Sequence, residues 1–210
     1  MTVVYFGSRE IYQDFPTAVR SLLDHTQARV ITITEDSDPF YDLPVVNIKY
    51  GNKWFNETNT RTKWKQFGTI RAALSKILPE HDLILSIDVD TIVTADISEL
   101  FDIDMEGYHV AMVREEGLAW EGRPYYNNGI CLMNLKQIRE DKVDDQMIAE
   151  LNRHFHRYVC QDVMQMYCHI KELPSDYNVS KFTLPTDHPK ILHFADRTDW
   201  RNLPEVQKYR

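Results

Sequence analysis

The chemistry most nearly written into this chain lies in the segment Asp82-Leu83-Ile84-Leu85-Ser86-Ile87-Asp88-Val89-Asp90-Thr91-Ile92-Val93. An apolar run of strand length ends in two carboxylates separated by one residue, and a second apolar run follows. Carboxylates at the exit of a buried strand cost free energy unless a cation compensates them. Mn²⁺ or Mg²⁺ suits the task, because both take oxygen ligands and leave coordination positions for phosphate oxygens. A solvated Asp-Val-Asp turn is the other reading that this triplet allows by itself.

The elements around the triplet read as an alternation of strands and helices. Val3 to Phe6 has the pattern of a buried strand, with Gly7-Ser8 as a turn and Pro16 suited to the first turn of a helix through Ala18, Val19, Leu22 and Leu23. Val30 to Thr34 and Val45 to Ile48 are further strands, and Lys63 to Leu78 has helical spacing before Pro79. Later come a short helix at Ile97 to Phe101, a strand at Tyr108 to Val113, a polar loop, and a strand at Gly129 to Leu135. Helices at Asp145 to Phe155 and Gln161 to Cys168 precede a last strand, Lys190 to Phe194. This order predicts an α/β sandwich with a mostly parallel central sheet, in one domain over residues 1–210. Ligands of open α/β sheets gather at the carboxyl ends of strands. Phe6-Gly7-Ser8-Arg9, Asp88-Val89-Asp90 and His193 all fall there, so together they can build one nucleotide and metal site.

Composition narrows the class. At 210 residues, 43% hydrophobic and 27% charged, the chain has the makeup of a soluble globular protein. A net charge of −8 argues against a nucleic-acid partner. One local basic patch is expected, from Lys49, Lys53, Arg61, Lys63, Lys65 and Arg71. No run approaches the roughly 18–20 apolar residues of a membrane span, and the N-terminus has no basic leader pattern. Three cysteines without framework spacing point to a reducing, cytoplasmic location.

The chain resembles glycosyltransferase family 8, whose members have the GT-A fold. The resemblance rests on motifs in order: Arg71 ahead of the aspartate strand, Ser86 to Val93, and Asp96-Ile97-Ser98-Glu99-Leu100. After these come Tyr126-Asn127-Asn128-Gly129 with its apolar strand, Gln161-Asp162-Val163, Leu173 to Asn178, and His193-Phe194-Ala195. It implies Mn²⁺ (Mg²⁺ as the substitute) held by Asp88, Asp90 and His193, gripping the diphosphate of a UDP-hexose, with Val89 between the carboxylates. It implies Phe6, Gly7 and Arg9 near the nucleobase, Arg71 and Asn127 near the donor sugar, and Gln161 beside the anomeric carbon. The implied reaction retains anomeric configuration and delivers the hexose to a glycan, glycolipid or protein acceptor. Three positions depart from the family pattern: Cys160 stands where an aspartate is usual, Asp196 where a glycine is usual, and no lysine precedes Trp200. Arg197 is the candidate to supply the missing positive charge to the leaving diphosphate.

Plainer readings stand beside these. His193 on a short apolar strand also reads as a core histidine, Arg71 as an ion-paired helix residue, and Asn127 and Asn128 as turn residues. Gln161 also reads as a helix-start residue, and Asp162 as a first-turn carboxylate favoured by the helix dipole. His154 and His156 with Cys160 and Cys168 raise a zinc site, which the helical spacing disfavours. Lys49 to Phe55 reads as a surface loop with packed aromatics or as a lid. Two other functions compete with transfer: a sugar-nucleotidyltransferase, for which Phe6-Gly7-Ser8-Arg9 is a poor phosphate loop, and a non-catalytic sugar-nucleotide-binding protein.

Overall fold

A computed structural model describes residues 1–40, 42–62 and 64–210. The N-terminal half runs β1 (Thr2–Gly7), α1 (Phe15–His25), β2 (Arg29–Thr34), β3 (Val45–Lys49), α2 (Leu74–Ile77), β4 (Leu83–Ile87) and β5 (Thr91–Val93). Then follow β6 (Val110–Trp120), β7 (Arg123–Asn134), α3 (Leu135–Glu140), α4 (Val143–Arg153), α5 (Cys160–Tyr167), β8 (Ile170–Leu173), β9 (Ile191–His193) and α6 (Pro204–Gln207). Seven strands form one sheet in the order β3-β2-β1-β4-β7-β6-β8. Only β7 runs against its neighbours; the other pairings are parallel.

The inner strands β1 and β4 are apolar because both of their faces are covered. Along β1, Val3 and Tyr5 join one core cluster while Val4 and Phe6 join the other, the period-2 alternation of a pleated strand. Phe15, Ala18, Val19 and Leu22 of α1 close the first face; residues of α2 through α5 close the second. Burying each leucine-sized side chain contributes about 2 kcal/mol.

The strand exits set up the site. The chain leaves β4 at Asp88, and β5 departs from the main sheet to pair antiparallel with β9, Thr91 opposite His193. This small ladder lays His193 beside Asp88, three residues before its partner Thr91, and beside Asp90.

Two expectations need correction. The helix expected over Lys63 to Leu78 is broken into 3-10 turns Lys65–Gly68 and Ile70–Ala73 followed by α2, and Lys63 lies outside the described residues. Ile70, Arg71, Ala72, Ala73 and Leu74 are all buried, so burial here uses every side of the turn and an amphipathic helix with one wet face does not fit. The polar loop before Gly129 is instead a long hairpin, and Asn127 and Asn128 are strand residues of β7. Its tip, Glu121-Gly122, has positive φ at both residues (51° and 78°), the turn geometry that matches the twist of paired strands.

Among the described residues, three members of the expected basic patch are drawn into separate ion pairs: Arg61 with Glu57, Lys65 with Glu10, and Arg71 turned inward to Asp88. The Lys49 to Phe55 segment is a packed surface loop, with Tyr50 and Phe55 buried and Asn152 of α4 donating to the Trp54 carbonyl at 2.9 Å. Among the described residues, no helix is long and apolar enough to cross a membrane.

Candidate active site

Asp88, Asp90 and His193 each offer a ligand atom within 4.8 Å of the others. His193 Nε2 stands 3.5 Å from Asp90 Oδ1 and 3.7 Å from Asp88 Oδ2, with the carboxylate side chains about a third exposed (33% each) and the imidazole buried. Backbone bonds fix the approach: the Asp88 N–H donates to the Gly129 carbonyl at 2.7 Å, and the Phe194 N–H to the Asp90 carbonyl at 2.9 Å.

A chain of hydrogen bonds decides the histidine tautomer. The Gly129 backbone N–H can only donate, and it donates to Asn127 Oδ1 at 2.9 Å. That oxygen therefore also accepts from Asn178 Nδ2 at 2.8 Å, which leaves Asn178 Oδ1 to accept from His193 Nδ1–H at 2.9 Å. In the neutral ring Nε2 therefore carries the lone pair on the side of the two carboxylates, the tautomer an imidazole needs to ligate a metal. Burial would lower the His193 pKa, but the Asp90 carboxylate, aided by Asp88, outweighs it and holds the ring above its ordinary value. Burial would likewise raise the Asp90 pKa, and His193 reverses it to a lowered value. Two carboxylate oxygens and an imidazole nitrogen, held this close with only the carboxylates partly open to solvent, fit a hard divalent cation.

Gly129 is the residue that makes room. A Cβ there would stand 2.2 Å from His193 Cε1 and 2.9 Å from Asn127 Oδ1. Arg71 braces the site from beneath: Nη2 donates to Asp88 Oδ1 at 2.7 Å, Nε to the Ser86 hydroxyl at 3.1 Å, and the guanidinium lies 4.7 Å from the Phe6 ring centroid.

The same hydrogen-bond chain continues away from the carboxylates. Asn127 Nδ2 donates to Glu115 Oε1 at 2.6 Å, and Gln161 Nε2 donates to that oxygen at 3.2 Å. Gln161 Oε1 accepts the Asn128 N–H at 3.2 Å, so both ends of its amide are committed. Glu115 is buried and on β6; its position inside an apparent polar loop hid it from sequence reasoning. Asn178 lay within a recognised motif, but no spacing assigned it a partner.

Of the residues singled out in the sequence, Asp88, Asp90, His193, Arg71, Phe6, Asn127 and Gln161 converge. Val89 points into the core, and Gly7 packs under Ile11. Arg9 lies at the rim of β1 and β2, its guanidinium paired with Asp36 and its N–H with Glu35. Arg197 is half exposed and pairs with Asp199 at 2.9 Å. Asp196 has φ 59°, the left-handed backbone that favours the family's glycine and that aspartate tolerates. Cys160 is buried in the core with its Sγ 3.9 Å from the Thr69 carbonyl. The zinc alternative fails geometrically: His154 and His156 both turn to Glu150, while Cys168 faces Met147.

A model of the family described as Glycosyl transferase family 8 matches residues 11–198. Among curated proteins, a probable glycosyl transferase, Gly, of Streptococcus gordonii is 27% identical over 179 residues, covering 78% of this chain and 26% of its own length. Glycosyltransferase GlyF of Streptococcus pneumoniae serotype 4 is 35% identical over 148 residues, covering 62% of this chain and 37% of its own. The chain thus spans well under half the length of these relatives. Among solved structures, that of the galactosyltransferase LgtC with donor and acceptor sugar analogues aligns with a TM-score of 0.75 at 15% identity, over 100% of this chain and 94% of that one. The shared architecture is the GT-A fold, as expected from the strand and helix order.

Proposed function

The chain belongs to glycosyl transferase family 8, and from that premise we propose that it is a metal-dependent, retaining transferase moving a hexose from a nucleotide sugar, UDP-linked, to an acceptor hydroxyl. We read residues 1–210 as one GT-A domain, acting in the cytoplasm on the ground that its three cysteines are free thiols. The observation that carries the reading is the Asp88–Asp90–His193 cluster with its tautomer set by Asn178.

Cleaving a sugar–diphosphate bond develops negative charge on the leaving phosphate and positive character on the sugar. A bound Mn²⁺ or Mg²⁺ supplies Lewis-acid compensation for the first. Asp88, Asp90 and His193 are the residues that hold it, and Arg71 keeps Asp88 aimed by occupying its second oxygen. Arg197, freed from Asp199, is the cation that meets the diphosphate; Phe6, Gly7 and Arg9 border the nucleobase. Asn127 and Gln161 orient the donor sugar. The Gln161 amide oxygen already accepts a backbone N–H, and an amide is a poor nucleophile. Front-face displacement by the acceptor hydroxyl therefore suits this site better than covalent attack by the glutamine.

Calorimetric titration of UDP with and without Mn²⁺, followed by a UDP-release assay over UDP-, GDP- and ADP-sugars, tests the reading. Metal-dependent UDP binding with sugar turnover is expected, and Asp90→Asn abolishes both while the circular dichroism spectrum is unchanged. Full activity in Asp90→Asn overturns the mechanism, and tight UDP binding without turnover of any donor reduces the protein to a binder.

A further inference from the structure

Asp14 and Arg201 lie 187 residues apart in sequence and form a bidentate ion pair. Asp14 ends the 3-10 turn Arg9–Asp14 and stands at the N-cap of α1, where an aspartate ordinarily bonds the first free N–H groups of its helix. Among the described residues its side chain makes no such bond. Both oxygens go to Arg201 instead: Nε donates to Oδ1 and Nη2 to Oδ2, each at 2.6 Å, the forked geometry of a strong charge-assisted pair. Asp14 is only 3% exposed, and a pair taken out of water in this way fixes a geometry more than it adds stability.

Each partner belongs to a different half of the site. Asp14 closes the turn that begins at Arg9, directly after Gly7 and Ser8, the stretch read as bordering the nucleobase. Ile11 packs against Gly7 and its N–H donates to the Ser8 carbonyl at 3.1 Å, so this turn is stiff. On the other side, the Arg201 guanidinium lies 5.3 Å from the Trp200 ring centroid, and Trp200 stacks on Phe194 at 5.4 Å with planes 14° apart. Phe194 follows His193 and donates its N–H to the Asp90 carbonyl. Asp14 raises the Arg201 pKa above its ordinary value against the effect of burial, and Asp90 adds to the rise, so the charge of Arg201 is felt at the ion site.

Holding α1 in place does not require this pair. The helix is already fixed to β5 by the Val93 N–H bond to the Ser21 hydroxyl at 3.1 Å, and its apolar face is in the core. What the pair adds is a fixed span between the turn after β1 and the turn after β9.

We propose that Asp14 and Arg201 are positioning residues that set the distance between the nucleobase turn and the metal ligands; the assignment rests on the transferase reading. A nucleoside diphosphate must be gripped at both ends, whereas a bare diphosphate is gripped at one. Two half-sites held at the right span act on one ligand with a high effective concentration, and a slack span forfeits it. Breaking the pair leaves each half intact and loses the register between them.

Calorimetric titrations of UDP and of inorganic pyrophosphate, both with Mg²⁺, test this on the parent chain, Arg201→Gln, Asp14→Asn and the double variant. Electron paramagnetic resonance gives the affinity for Mn²⁺ alone. UDP affinity is expected to fall about tenfold in each single variant and no further in the double. The one-ended probes, pyrophosphate and Mn²⁺, are expected to stay within about twofold. Arg201→Lys keeps the charge but loses the fork, so its UDP affinity should fall between those of the parent and Arg201→Gln. The lysine variant carries the same comparison if a circular dichroism melt shows that the glutamine variant does not fold. Unchanged UDP affinity overturns the proposal. So do equal losses for UDP and the one-ended probes, because a merely structural pair would loosen every ligand alike. A parent chain that does not bind UDP with Mg²⁺ defeats the transferase reading itself, whereas a parent that binds it no better than the variants do defeats only the positioning assignment.

Discussion

Asn178 Oδ1 lies 2.9 Å from His193 Nδ1, and this contact sets which imidazole nitrogen faces Asp88 and Asp90. Removing such an orienting partner typically costs 10- to 100-fold in metal affinity. Asn178→Ala should therefore weaken Mn²⁺ binding by about that factor in an electron paramagnetic resonance titration. Asn178→Asp keeps the acceptor toward His193 but loses the donor to Asn127, and should recover part of the loss. Unchanged affinity in the alanine variant would remove Asn178 from the metal site.

Gly129→Ala places a methyl 2.2 Å from His193 Cε1. The imidazole must move, so metal-dependent UDP binding is lost and overpacking lowers stability by about 1–3 kcal/mol. Gly51→Ala is the control, since a Cβ there meets nothing within 4 Å. Thermal melts and UDP titration of the pair check the prediction; equal behaviour of the two variants would refute it.

The Tyr5 hydroxyl is buried in the sheet core without a hydrogen-bond partner among the described residues. An unsatisfied buried hydroxyl is a cost of about 1–3 kcal/mol. Tyr5→Phe deletes it at nearly constant volume and should raise stability by about 1 kcal/mol in urea denaturation. A lower midpoint would mean that the hydroxyl has a partner.

Hydrogen bonds from Lys190 and Tyr177 hold the Glu99 carboxyl below its ordinary value of 4.5. A depressed carboxyl contributes stability above its unfolded pKa and loses it as pH falls through the folded one. Melting temperature should thus drop below pH 4.5, and Glu99→Gln should flatten that part of the profile. Identical acid limbs in parent and variant would contradict the linkage.

Burial pushes the Cys131 and Cys160 thiols up to about 12 and raises Cys168 as well. Thiolate is the reactive form. Ellman's reagent at about pH 8 should label none of the three rapidly in the folded protein and all three in urea. Fast labelling of native Cys131 or Cys160 would show that their burial is transient.

The half of the fold that sequence reading reached is the half with uniform burial. Val3 to Phe6 and Ile84 to Ile87 are apolar because both sheet faces are covered, and such runs announce themselves. The hairpin from Val113 to Asn128 did not, because most of it is exposed and polar and its buried Glu115 and Asn127 are satisfied by each other and by Gln161, which gives paired strands the composition of a loop. The segment around Arg71 failed in the opposite way, with apolar spacing that suits a helix but burial on all sides. The Asp88, Asp90 and His193 grouping was legible through ordered motifs. The tautomer logic behind it was not, since it depends on a hydrogen-bond chain through residues 51 apart at Asn127 and Asn178.

Strand β7 starts at Arg123, pairs Tyr125 with Glu115 and reaches Gly129 under the imidazole, with the irregularities of its ladder to β6 falling between Met112 and Val113 and between Glu115 and Ala119. Those breaks divide the ribbon into a distal tip and a proximal stem. The tip, residues 117–122, lies beyond the second break, so a change of length there leaves the Glu115–Tyr125 pairing and the seat of Gly129 in register.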